Sequence, residues 1–222
     1  MKKFFVFFLI FLIYSNNIFS LPKPQKIKRL LEYAASQIKD VSGTADITTL
    51  TYGKERIKKI KYCAKQPNKM YVEYTYPKEM KGAKIICDGK TIWRYYPSLK
   101  KWYSLNLKSS TSKKGKTIDK ELGMIANLVA TDIKDFWEKN EIIVLGEEKI
   151  ENKNTYVVEL KQKEEINRDL KSQQKLWIEK DTGLTLKIEF TFLDAKETIV
   201  FHYEKFNSGI PDSLFVVKEE GK

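Results

Sequence analysis

The sequence predicts a single α+β domain dominated by one antiparallel sheet, and three observations carry that prediction. Apolar residues recur at every second position over most of the chain, as in half-buried strands. Tight-turn residues separate these runs, notably Asp88-Gly89 and Asp181-Thr182-Gly183. Helical periodicity marks two places, one before the strands and one in their middle. Strands grouped around so few helices fit α+β rather than an alternating α/β architecture.

The elements follow in chain order. After Pro24, residues Ile27, Leu30, Leu31, Ala34 and Ile38 fall on one helical face, with lysines and Glu32 opposite. Pro22 and Pro24 mark the start of this helix, and Gly43 reads as lying just past its end. The period then changes to two. Ile60, Tyr62 and Ala64 alternate with Lys59, Lys61 and Cys63, and Met70, Val72, Tyr74 and Tyr76 alternate with Tyr71, Glu73 and Thr75. Asp88-Gly89 is a hairpin signal joining strands around Ile85 and Trp93, and Pro97-Ser98 turns the chain toward Trp102.

Residues 109–116 are polar and read as a loop. Residues 117–130 follow as an amphipathic helix with Ile118, Leu122, Ile125, Leu128 and Val129 along one side. Strands resume near Ile142, Tyr156, Lys175, Leu184 and Ile199, for about eleven strands in all. An antiparallel sheet that long tends to curl, and an apolar concave side needs filling. Helix 117–130 is either an ordinary core helix packed across the sheet or a movable cover over a cavity.

The N-terminus reads as an export signal. Lys2 and Lys3 precede an apolar run from Phe4 to Tyr14, and polar residues lead to a cleavage site after Ser20. The run is about eleven residues, short of the roughly twenty that a spanning helix needs. Residues 1–20 are therefore read as a signal peptide and residues 21–222 as one domain working outside the cytoplasm. No cysteine lies near the cleavage site to carry a lipid.

The chain has 41 Lys+Arg against 29 Asp+Glu, which makes it clearly basic. Much of the excess is lysine on alternate strand positions, which is either a solvated face that blunts sheet edges or an attraction to anionic lipid surfaces. Nucleic acid is a poor partner for an exported chain without a reading motif. Cys63 and Cys87 are the two cysteines. In a meander, the strand around Tyr71 separates them by about 9.5 Å, beyond the roughly 7 Å span between Cα atoms that a disulfide bridges.

Catalytic patterns are missing. The sequence has no GxSxG elbow, HExxH pair, phosphate-binding loop or GxGxxG. His202 is the single histidine, Asp88 has a sufficient role in its turn, and Glu147-Glu148 and Glu164-Glu165 are paired in sequence alone. The reading is a non-enzyme with no cofactor and no metal. What remains is aromatic. Met70, Val72 and Tyr74 share one strand face, and Trp93 and Tyr95 share another. If both look inward they line a concavity with large rings and a deformable thioether; otherwise they are packed core.

At these residues the sequence resembles the LolA family of periplasmic lipoprotein carriers. The likeness rests on Lys65-Gln66-Pro67-Asn68 opening a strand that closes at Tyr76-Pro77, and on the run from Cys87-Asp88-Gly89-Lys90-Thr91 through Trp93 to Pro97. Asp181-Thr182-Gly183 and the stretch from Gly209 to Phe215 fit the wider superfamily. The resemblance implies an unclosed β-barrel with a helical lid over a cavity that receives acyl chains. By position, Met70, Val72 and Tyr74 would line it, joined by Trp93 and Tyr95. Leu122, Ile125 and Leu128 would be lid residues. The implied role is a monomeric carrier taking lipoproteins from an inner-membrane transporter to an outer-membrane acceptor. The alternatives are a lipid or glycolipid sensor on the same scaffold, or a regulatory protein with a filled core and a protein partner. One position departs from the family pattern: Gln66 stands where the family's carriers have a lid-latching arginine, and a neutral amide is the weaker donor.

Overall fold

One sheet of eleven antiparallel strands organises the computed structural model, which describes residues 21–107, 140–163, 173–192 and 194–217. Helix α1 spans Pro24–Gln37. The first six strands are β1 (Asp40–Thr51), β2 (Lys54–Lys65), β3 (Lys69–Tyr76), β4 (Lys84–Asp88), β5 (Thr91–Tyr96) and β6 (Lys101–Asn106). The rest are β7 (Asn140–Ile150), β8 (Lys153–Gln162), β9 (Gln173–Glu179), β10 (Thr185–Phe192) and β11 (Ala195–Phe206). A 3₁₀ turn at Asp212–Phe215 follows.

The strand order is β6-β5-β4-β3-β2-β1-β11-β10-β9-β8-β7. β6 and β7 are the two edges and do not pair with each other, so the sheet is unclosed, as expected. Each half is a meander of sequence neighbours. The two halves meet where β1 pairs with β11, from Val41 opposite Phe206 to Thr51 opposite Ala195. The predicted lid helix at 117–130, with Leu122, Ile125 and Leu128, and the N-terminal residues 1–20 lie outside the described residues.

Turn chemistry sets the registers. At the β4–β5 hairpin, Asp88 Oδ1 accepts from the backbone N–H groups of Lys90 and Thr91 at 2.7 and 2.8 Å. Gly89 takes φ +94° there, a conformation that costs little only without a Cβ. Gly43, by contrast, does not terminate α1. It lies inside β1, where a Cβ would fall 2.2 Å from the backbone oxygen of His202. The sequence expectation took it for a helix stop because β1 is rich in serine and threonine and its buried positions, Ala45 and Ile47, are sparse.

Two apolar clusters share the concave side. One gathers Ala45, Ile60, Tyr62, Val72, Tyr74, Ile85, Cys87 and Ile92 from β1–β5. The other packs Ile27 of α1 against Ile142, Val158, Leu176, Ile178 and Ile188 from β7–β10. Ile199 and Phe201 of β11 pack against both. Cys63 and Cys87 are both free thiols. Cys63 pairs across with Tyr71, and Cys87 with Met70, so the two thiols point to opposite faces of the sheet with β3 between them.

Candidate ligand-binding face

Residues directly opposite each other across a ladder point to the same side of a sheet. Val72 faces Tyr62 on β2 and Ile85 on β4, and Ile85 faces Arg94 on β5. Met70 and Tyr74, two residues either way along β3, share that concave side. Trp93 faces Ile86, which faces Tyr71, and Tyr95 faces Lys84. Trp93 and Tyr95 therefore project from the convex side, away from Met70, Val72 and Tyr74. The expectation that both sets line one concavity is corrected. Its cause is register: alternation along one strand fixes which residues share a face, but a one-residue slip between strands exchanges the faces.

The residue that β5 sends inward beside Ile92 is Arg94, which is 6% exposed. Its guanidinium lies 4.9 Å from the ring centroid of Tyr96. Sequence reading passed over it because it sits among aromatics; its alternation with Trp93 and Tyr95 was the available signal. On the convex side, Trp93 and Tyr95 are half-buried, and Tyr95 lies 5.1 Å from Trp102, ring to ring. The 3₁₀ turn packs against β3 and β4.

Val72 and Tyr74 are 4% and 1% exposed, whereas Met70 is half-buried. Beside them, Tyr62 meets Phe201 edge-on at 5.9 Å and Tyr203 at 6.4 Å. Tyr203 donates its hydroxyl to the Thr185 carbonyl at 2.7 Å. The buried Tyr62 hydroxyl has no hydrogen-bond partner among the described residues, and burial, with Tyr203, Glu204 and Cys63 nearby, pushes its pKa far above the ordinary phenol value.

Met70 opens onto a cleft of ≈ 300 Å³ between α1 and the ends of β1, β2 and β3. Ala35, Ile38, Val41 and Ala64 supply its apolar wall, and Lys39, Lys65 and Lys69 its basic rim. Gln66 frames the same cleft. Its Nε2 donates to the carbonyls of Ala35 and Ile38 at 2.7 and 2.8 Å, two carbonyls that the end of α1 leaves open. Asn207 Nδ2 takes the Gln37 carbonyl at 2.9 Å. Both amide hydrogens of Gln66 thus go to α1, whereas the latch reading assigned them to helix 117–130.

The closing segment is clamped nearby. Asp40 accepts from Ser208 N at 2.7 Å, Ser208 Oγ at 3.1 Å and Gly209 N at 3.1 Å. Burial works against its charge, but the hydrogen bonds from Ser208, Gly209 and Ile210 outweigh it and lower its pKa. Hydrogen bonds from Lys65 and Lys69 hold the Asp212 carboxyl below its usual value as well.

The carboxylates considered earlier do not converge. Glu147 pairs with Lys180, and Glu148 accepts from Trp177 Nε1 at 2.7 Å; Glu164 and Glu165 lie outside the described residues. His202 lies 3.5 Å from Asp46 and 3.7 Å from Glu151, on the side opposite Phe201. Among the described residues, no group of three or more His, Cys, Asp or Glu side chains is placed to hold a metal. No described helix is long and apolar enough to cross a membrane.

A family model described as "Uncharacterized protein" matches residues 66–211. An uncharacterized protein of Methanocaldococcus jannaschii is 26% identical over 194 residues, covering 86% of this chain and 50% of that protein. The chain thus spans about half the length of that relative. Among solved structures, an uncharacterized conserved protein from Thermus thermophilus is similar at TM-score 0.52 and 13% identity, covering 90% of this chain and 96% of that one. A LolA superfamily protein from Nitrosomonas europaea is similar at TM-score 0.46 and 17% identity, covering 86% and 97%.

Proposed function

We propose that this chain, which belongs to the uncharacterized-protein family matched over residues 66–211, binds the acyl chains of a lipid or lipoprotein on its concave face. The observation that carries the reading is the apolar lining of that face. It runs from Tyr62, Phe201 and Tyr203 at the centre to half-buried Met70, which opens onto the cleft beside α1. Each methylene transferred from water contributes about 0.8 kcal/mol, so eight of them supply about 6 kcal/mol. The resemblance of residues 65–77 and 87–97 to the LolA family supports the same reading. The site in this proposal comprises Met70, Val72 and Tyr74, with Arg94 at its inner end; Trp93 and Tyr95 are left out.

The finer form is a carrier, working outside the cytoplasm, that receives a lipoprotein from one membrane and delivers it to another. Gln66 favours a second form, a receptor or sensor that holds its lipid without such a latch, because both its amide hydrogens are committed to α1.

The test is to purify the chain without detergent, extract it with organic solvent and identify bound lipid by mass spectrometry, beside a Met70→Glu variant. Acyl lipid on the parent, strongly reduced in a variant that melts normally, supports the reading. Parent protein that stays lipid-free even after incubation with phospholipid and acylated peptide defeats it. Acylated peptide as the bound species selects the carrier, and phospholipid the receptor.

A further inference from the structure

One corner of the sheet carries exposed groups on both of its faces, because Trp102 faces Tyr95 on the convex side and Tyr103 faces Arg94 on the concave side. The end of β3, the start of β4, the end of β5 and the start of β6 lie together, because Glu73 pairs with Lys84, Lys84 with Tyr95, and Tyr95 with Trp102. The loops 77–83 and 97–100 meet there: a Cβ on Gly82 would lie 3.9 Å from Pro97 Cγ. At this corner four large apolar side chains face solvent, with Tyr76 at 51%, Leu99 at 55%, Trp102 at 38% and Tyr103 at 51% exposure.

Lysines are interleaved with them. Lys78, Lys81, Lys100 and Lys101 are all exposed, and Glu79 is the one acidic residue in the two loops. A hydrophobic protein partner would match the rings and leave four like charges facing it. A bilayer carrying anionic headgroups satisfies both. Tyrosine and tryptophan rings favour the headgroup level, where one end is apolar and the other wet. Lysine stems lie along apolar surface while their ammonium groups reach the phosphates. We propose that this corner docks the protein on an anionic lipid bilayer.

Flotation of the purified full chain with phosphatidylcholine vesicles, with and without phosphatidylglycerol, tests it. Each lysine near an anionic surface is worth roughly fivefold in partitioning. Lys100→Gln with Lys101→Gln should therefore lower binding to the anionic vesicles roughly 30-fold, while neutral vesicles show no such difference. The N-terminal apolar run is common to parent and variant and cancels from the comparison. In a second measurement, brominated phospholipid should quench the parent's tryptophan fluorescence, and Trp102→Phe should remove most of that quenching. Equal binding by the lysine variant, equal binding of the parent to both vesicles, or quenching unchanged in Trp102→Phe overturns the proposal. Absence of vesicle binding, as expected if the corner serves a protein partner, overturns it too. Both variants alter exposed positions, and matching melting curves exclude unfolding as the cause of lost binding.

Discussion

Replacing Gly43 with alanine sets a methyl group against a main-chain oxygen at the junction of the two sheet halves. The added Cβ would lie 2.2 Å from the His202 carbonyl oxygen and 3.1 Å from the Tyr62 hydroxyl. Ordinary carbon–oxygen contacts begin near about 3.3 Å, so β1 and β11 must separate by roughly 1 Å at this point. The Tyr62 ring can shift, whereas the carbonyl belongs to the backbone of β11, which β1 pairs along its length from Ala195 to Phe206 and β10 pairs from Ala195 to Val200. Overpacking typically costs about 1–3 kcal/mol, and a backbone obstacle in a central strand places Gly43→Ala at about 3 kcal/mol. With a urea dependence of about 2 kcal/mol/M, the unfolding midpoint falls by about 1.5 M. The melting temperature falls by roughly 6–12 °C. Urea unfolding followed by tryptophan fluorescence measures this directly. A midpoint within about 0.3 M of the parent would refute the close approach of β1 and β11.

Three further outcomes are expected. Tyr62→Phe removes a buried hydroxyl that lacks a partner, so it should stabilise the unliganded protein by about 1 kcal/mol; a loss of that size would show that the hydroxyl is satisfied. Gln66→Ala leaves the Ala35 and Ile38 carbonyls without their donors and should cost about 1–2 kcal/mol. Amide exchange should quicken at the end of α1, and unchanged exchange there would count against the tie. Asp40→Asn should be less stable than the parent near neutral pH. Because the folded pKa of Asp40 is lowered from 3.8, its contribution is fully present above that value and lost as pH falls through the folded pKa. The gap between the two proteins should therefore narrow in acid, and a gap constant with pH would contradict the role given to Ser208 and Gly209.

Much of the sheet could be read from alternation, because β2 and β3 write their burial directly into the chain. Ile60, Tyr62, Val72 and Tyr74 occupy the buried face that their spacing predicts. β1 was harder: its threonines suit a strand, yet Gly43 reads equally well as a helix stop until the nearness of β11 is known. The site divided along the same line. Met70, Val72 and Tyr74 share a face by intrastrand spacing, which sequence shows. Trp93 and Tyr95 needed the pairing between β4 and β5, which it does not. Arg94 was hidden for the same reason, and Gln66 because its partners, Ala35 and Ile38, are about thirty residues away. Burial also decides which position can be probed with a charge. Val72 is packed, so a charge there would be buried without a partner and unfold the protein, whereas half-buried Met70 can take one.

Every pairing in the described sheet joins strands adjacent in the chain, except that of β1 with β11. Short-range hairpins close cheaply, whereas a contact spanning some 150 residues pays its loop entropy before it gains anything. Within each half of the sheet the strand pairings are therefore short-range, and the β1–β11 junction carries the long-range one. The molecule is built like a book, with two leaves bound along one spine. Gly43 sits on that spine, where the β1–β11 register shifts between Ser42 and Gly43, beside the rings of Tyr62, Phe201 and Tyr203. A Cβ at Gly43 would meet the His202 carbonyl oxygen at 2.2 Å, so how closely the two leaves can be bound there depends on this one residue remaining a glycine.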